Sequence, residues 1–124
     1  MKVGTHISRL TAVIVLVLAT PLRAQEVWRG EVKQNSGASS YTVIMELSDN
    51  GGQTNYPELK CGGSLTPVGQ SGAYTFYIET ITTRDSTCID GSITVVKSSD
   101  TIAWGWVGVY QGQTFVAWSN LSRQ

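Results

Sequence analysis

Apolar and polar positions alternate with a period of two along most of this chain, and the alternation is broken every few residues by glycine-rich or otherwise polar turns. In 41–48, Tyr41, Val43, Met45 and Leu47 share one face, and Thr42, Ile44, Glu46 and Ser48 share the other. That is the pattern of a strand with one dry side and one wet side. A first strand is read in Glu26 to Lys33, ended by the Gly/Ser-rich stretch Asn35 to Ser40. Asp49-Asn50-Gly51-Gly52 supplies residues that accept a positive φ and so marks a reversal.

Short strands are expected next at Thr54 to Leu59 and Ser64 to Val68, each interrupted by a proline (Pro57, Pro67) that cannot donate to a ladder and so points to an edge or a bulge. A glycine turn, Gly69 to Gly72, leads into the run Ala73 to Arg84, with Tyr74, Phe76 and Ile78 on one face and Thr75, Tyr77 and Glu79 on the other. Strands are then read at Ile93 to Val96, Thr101 to Val109 and Thr114 to Trp118. No segment has helical periodicity. About eight short strands at intervals of roughly 10 residues predict an all-β fold, a small antiparallel meander closing as a barrel, with a sandwich as the second choice.

Composition changes this picture at the amino terminus. Residues 1–24 combine basic Lys2 and Arg9 with an uncharged run from Leu10 to Leu22 and end in Leu22-Arg23-Ala24, the layout of a cleavable export signal. The apolar run is shorter than the roughly 20 residues of a membrane span. The expectation is a leader over 1–24 and a single barrel domain over 25–124, soluble in the periplasm or outside the cell, with no membrane attachment after cleavage. The domain then carries six basic and nine acidic residues, a formal charge of −3, without a basic cluster. Nucleic acid and anionic lipid are therefore not expected as partners.

A domain of about 100 residues is close to the size at which burial alone is marginal, and exported domains of this size commonly add a staple. Cys61 and Cys88 are the only cysteines, and they lack the C-x-x-C spacing of a redox site. A structural disulfide is favoured over a free thiol pair. Closing its loop of about 27 residues contributes about 3 to 4 kcal/mol on the chain-entropy estimate. Gly62-Gly63, directly after Cys61, suggests a bend or a close backbone approach in preference to an anion-binding nest.

The only histidine, His6, falls in the leader, so histidine-dependent nucleophilic catalysis is excluded from the domain. Zinc would have to rely on carboxylates and on cysteines already committed to the disulfide. Neither a metal nor a cofactor is expected. Glu46 and Glu79 are the carboxylates best placed within strands, and a suitable spacing between them would suit glycoside hydrolysis. Exposed glutamate is the commoner case, and the chain is read as a non-enzyme.

The most unusual local pattern is Ile102-Ala103-Trp104-Gly105-Trp106. Ile102, Trp104 and Trp106 share a face, which either fills the interior or forms an outward recognition surface. The interior is favoured because so short a chain needs bulk, with Trp28 and Trp118 joining the core or closing the seam. The leading functional expectation is a binding module for an envelope or extracellular protein, with inhibition of that protein as one form of it. Contacts are expected through the polar stretches Asn35 to Ser40, Asp49 to Asn55 (including Asn50) and Thr82 to Thr87 (including Arg84). The alternative is a carrier of a small apolar ligand, with Trp104, Trp106 and Tyr77 lining its cavity.

Tyr56-Pro57-x-Leu59-x-Cys61-Gly62-Gly63-x-Leu65, followed by Tyr74-x-Phe76, Glu79, Cys88-x-x-Gly91 and Trp104-x-Trp106, resembles a small, poorly characterised bacterial β module. Such modules occur alone behind a signal peptide or appended to larger signalling proteins. The resemblance spans about residues 26 to 118 and implies the fold and the disulfide, with no assigned activity. A looser architectural likeness is to periplasmic lysozyme inhibitors, which are also small exported disulfide-pinned barrels.

Overall fold

The computed structural model describes residues 4, 11–14, 25–83 and 87–124. The proposed leader lies almost wholly outside these residues, and so does Arg84. Eight antiparallel strands follow one another around a closed barrel: β1 (Glu26–Gln34), β2 (Tyr41–Ser48), β3 (Gly51–Tyr56), β4 (Cys61–Ser71), β5 (Tyr74–Thr83), β6 (Gly91–Lys97), β7 (Thr101–Tyr110) and β8 (Gln113–Arg123). Each strand pairs with its sequence neighbours, and β1 pairs with β8 to close the ring. Closure leaves no open sheet edge. No helix among the described residues is long and apolar enough to cross a membrane.

Several strand limits differ from the sequence reading, for local reasons. β3 stops at Tyr56 because Pro57 has no N–H to give the ladder, and Pro57–Leu59 forms a single 3₁₀ turn closed by Lys60 at φ 54°. β4 starts at Cys61 and runs through Pro67, where the register shifts between Pro67 and Gly69; the bulge accommodates the missing donor. Gly69 is a strand residue, and the β4–β5 turn falls at Gly72, with φ 59°. β8 continues five residues past Trp118.

At the seam, β1 pairs with β8 at Trp28 and Arg29 and again at Lys33 and Gln34, with a gap between. Across that gap Ser119 Oγ donates to the carbonyl of Glu31 at 2.6 Å. Gly30 permits the approach, since a Cβ there would lie 2.6 Å from the Asn120 carbonyl.

An eight-stranded barrel is just wide enough for side chains to fill. Trp28, Val32, Val43, Met45, Ile93, Ile102 and Leu121 are essentially inaccessible, and Trp104 joins them. One end is capped. Lys97 and Arg123 sit over the Trp28 ring at 5.7 and 4.9 Å, and both pair with Glu26. Trp118 does not join this core; it lies at the seam opposite Lys33 but faces outward, 48% exposed.

Candidate functional site

The other end of the barrel is open. Gln34 ends β1, Tyr41 begins β2, Tyr56 ends β3, Tyr110 ends β7 and Phe115 lies near the start of β8, and all of them line a cavity of about 360 Å³. Leu59, Ile81, Thr87, Cys88 and Ile89 complete its wall, and Glu79 forms part of the floor. A wider depression of about 720 Å³ lies against β2–β4 between Ile44, Glu46, Lys60 and Thr82, but no aromatic side chain lines it. The mouth of the barrel is the better-built site.

Its wall is held by covalent and polar ties. The Cys61–Cys88 disulfide, with Cα atoms 6.4 Å apart, fastens the segment before β6 to the start of β4. Regular β5–β6 pairing ends at Glu79 and Gly91; beyond it, Asp90 Oδ1 accepts from the Ile81 N–H at 2.8 Å. Cys88 and Ile89 are thereby kept against the cavity.

Glu79 is the central feature. It is 1% exposed, because β5 turns Tyr77, Glu79 and Ile81 inward and Tyr74, Phe76 and Ile78 outward. Thr54 Oγ1 and Tyr56 Oη donate to Glu79 Oε2 at 2.5 and 2.6 Å, and Trp106 Nε1 donates to Oε1 at 3.0 Å. Burial pushes the carboxyl above its ordinary range, the three donors act against that rise, and Asp90 adds to it. Burial, followed by the Glu79 charge, holds the Tyr56 phenol well above its usual range, so it stays a donor. Tyr41 is raised by burial as well; it accepts from Gln34 Nε2 at 2.5 Å and meets the Tyr56 ring edge-on at 5.9 Å.

Glycines set the position of the polar groups. A Cβ at Gly91 would lie 2.4 Å from Trp106 Nε1, and one at Gly108 would lie 2.4 Å from Trp106 Cη2. The indole therefore lies over two missing side chains, which aims its N–H at Glu79. Gly63 does the same for the acid: a Cβ there would be 3.1 Å from Glu79 Cγ and 3.3 Å from Thr54 Oγ1. The expected close approach at Gly62-Gly63 is this contact, at a register shift within β4.

The residues singled out from sequence separate in space. Trp106 lines the cavity; Trp104 is 3% exposed in the core below it, and no described group accepts from its Nε1. Trp104 is thus a filling residue and not a lining one. Tyr77 is buried toward the capped end, away from the mouth. Asn50 sits exposed in the β2–β3 turn, also at the capped end. Of the three polar stretches, Asn35 to Ser40 lies between Gln34 and Tyr41 at the mouth, Thr87 lines the mouth, and Asp49 to Asn55 starts at the capped end and reaches the site through Thr54. Glu46 alternates outward from Met45 and Leu47, so the barrel wall separates it from Glu79 and the two form no carboxylate pair. The reading of Glu79 as an exposed glutamate is corrected by its burial.

Sequence reasoning missed Tyr41, Tyr56, Tyr110 and Phe115 as site residues, and it reached Thr54 only as part of the stretch Asp49 to Asn55. The available signal was parity: Glu79 shares a face with Tyr77 and Ile81. The opposite face of β5 is the more apolar one, and it masked that signal.

The outer wall is divided as well. β1 and β2 carry Arg29, Glu31, Lys33 and Glu46 outward, whereas the outward positions of β5–β8 hold no charged residue. Tyr74, Ile78, Val107, Val109, Val116 and Trp118 are exposed there.

No family model, curated protein or solved structure matches the chain. The chemistry of the site rests on its own geometry.

Proposed function

We propose that this barrel binds a small organic molecule in its open mouth, acting in an oxidising compartment after export. The observation that carries this reading is a buried carboxyl held by three donors at the floor of an aromatic-lined cavity. A barrel that needed only to be filled would place an apolar residue at 79, because burying a carboxyl costs free energy that packing alone does not return. Cavities of this kind, largely apolar with few convergent polar groups, are the usual form of small-ligand sites. The disulfide supports the compartment, since such bonds persist where the surroundings are oxidising.

Native mass spectrometry of the protein exported to a bacterial periplasm tests the reading, with the same sample denatured as control. A reproducible non-covalent adduct that disappears on denaturation, and is missing from a folded Trp106→Ala variant, is the expected result. A bare chain from several expression backgrounds would count against it.

A second reading has its own observation, the uncharged outer wall of β5–β8. That face suits recognition of an envelope or extracellular protein, since exposed aromatic anchors dominate such contacts. Lysozyme is the first partner to assay, and Trp118→Ala should abolish inhibition without unfolding the barrel.

A further inference from the structure

The cavity's charge pattern narrows the ligand class, on the premise that the mouth binds a small molecule at all. A carboxylate offers about four acceptor positions. Oε2 of Glu79 receives two hydroxyl donors and Oε1 receives one indole N–H, so one position on Oε1 is left. Among the described residues, no lysine or arginine lines the cavity. Among the described residues the barrel's ion pairs lie at the other end, where Glu26 holds Lys97 and Arg123. Among the described residues, Glu79 is thus a buried acid supplied with donors but with no countercharge.

The walls point the same way. Tyr41, Tyr56, Trp106, Tyr110 and Phe115 line the cavity around the floor, and aromatic faces attract cations. An anionic ligand would meet Glu79 and, among the described residues, find no cation in compensation. A neutral apolar ligand would leave the remaining acceptor position unmet. The cavity volume falls near the lower end of the range for small-molecule sites, about 300 to 1,000 Å³, which suits a compact molecule better than a long acyl chain.

We infer that the ligand is a small organic cation, a protonated amine on an aromatic or aliphatic body, whose N–H donates to Glu79 Oε1 while the surrounding rings enclose its charge and its apolar portion. Gln34 and Thr87, which also line the cavity, offer polar contacts for any hydroxyl on the ligand.

Three probes of nearly one size test this on the full exported chain with its disulfide intact: 2-phenylethylamine, 2-phenylethanol and phenylacetate, followed by calorimetry and by quenching of tryptophan fluorescence. The amine should bind at least about tenfold more tightly than the alcohol, as expected of a charge-assisted hydrogen bond in a desolvated site, and phenylacetate should bind most weakly. Glu79→Gln should bring amine and alcohol within about twofold of each other while alcohol binding persists.

If Glu79→Gln does not fold, the wild type can be titrated with acid. The amine stays charged at these pH values, and its preference should fade as Glu79 takes up a proton. Among the described residues, Asp90, Tyr41 and Tyr56 are the other titratable groups acting on or around Glu79; the two tyrosines stay neutral throughout. Asp90→Asn should leave the fading in place. Alcohol or phenylacetate binding as tightly as the amine, or an amine preference that survives Glu79→Gln or acid, would overturn the cation inference and leave ligand binding standing. Failure of all three probes, together with a bare chain in native mass spectrometry, would overturn both.

Discussion

Three donors converge on one carboxyl group in the barrel floor, and that count governs how Glu79 responds to substitution and to pH. Glutamine preserves the volume but turns an amide N–H₂ toward a donor, leaving at least one of Thr54, Tyr56 and Trp106 without an acceptor. The expected cost in acid, where wild-type Glu79 is neutral, is about 1 to 3 kcal/mol. The pH dependence follows from the upward shift. Below the ordinary value of 4.5 the group is protonated in both folded and unfolded chains. As pH rises past it, the unfolded chain ionises first, so Glu79's contribution to stability falls until the raised folded value is passed and then levels off. Denaturant midpoints of wild type and Glu79→Gln should therefore converge as pH rises from acid to neutral. A difference that stays constant across this range would contradict the burial argument. Trp106 and Trp104 make an instructive pair at this scale, because the same side chain two positions apart finds an acceptor in one case and, among the described residues, none in the other.

At the scale of elements, the mouth depends on two devices that bring strands closer than side chains would allow. The first is the glycine cradle under Trp106. Gly91→Ala places a methyl where the indole lies, so the ring must swing off Glu79. Overpacking of this kind costs about 1 to 3 kcal/mol. The near-ultraviolet circular dichroism of the tryptophans should change together with the melting temperature, and an unaltered spectrum would mean that Trp106 has another resting place. The second device is the disulfide between β4 and the segment before β6. Replacing both cysteines with alanine should lower stability by about 3 to 4 kcal/mol on the chain-entropy estimate, read from denaturant midpoints. In that variant, residues 88 and 89 should exchange amide hydrogens faster than the β7–β8 hairpin, because their segment loses its covalent anchor whereas the hairpin keeps its ladder.

Across the whole molecule, inward and outward tryptophans separate stability from recognition. Trp28 is fully buried beneath Lys97, Arg123 and Glu26, and Trp28→Ala should cost about 3 to 5 kcal/mol. Trp118 is 48% exposed on the uncharged half of the outer wall, and Trp118→Ala should stay within about 0.5 kcal/mol of wild type. Comparable losses in the two variants, measured by thermal and denaturant unfolding, would mean that Trp118 supports the β1–β8 seam. The ion pairs at the capped end are partly solvated, so their main part is to cover Trp28 while their contribution to stability stays within about 1 kcal/mol.

The alternation along each strand, the turns at Asp49-Asn50, Gly72 and Gln111-Gly112, and the lone cysteine pair were enough to determine an eight-stranded meander with one disulfide. These are local properties: side chains alternate across a strand by backbone geometry, and turn residues act within four positions. On β2 and β7 the alternation already named the inward face, whereas on β5 only the tertiary structure decided which face is inside. On β5 local hydrophobicity favoured Tyr74, Phe76 and Ile78 for the interior, yet closure of the ring and its register with β4 and β6 turn them out and Glu79 in. The candidate site was hidden for the same reason. Its parts come from β1, β2, β3, β5, β7, β8 and the segment before β6, and the register of a closed sheet, which belongs to no single strand, brings their side chains together around one carboxyl group.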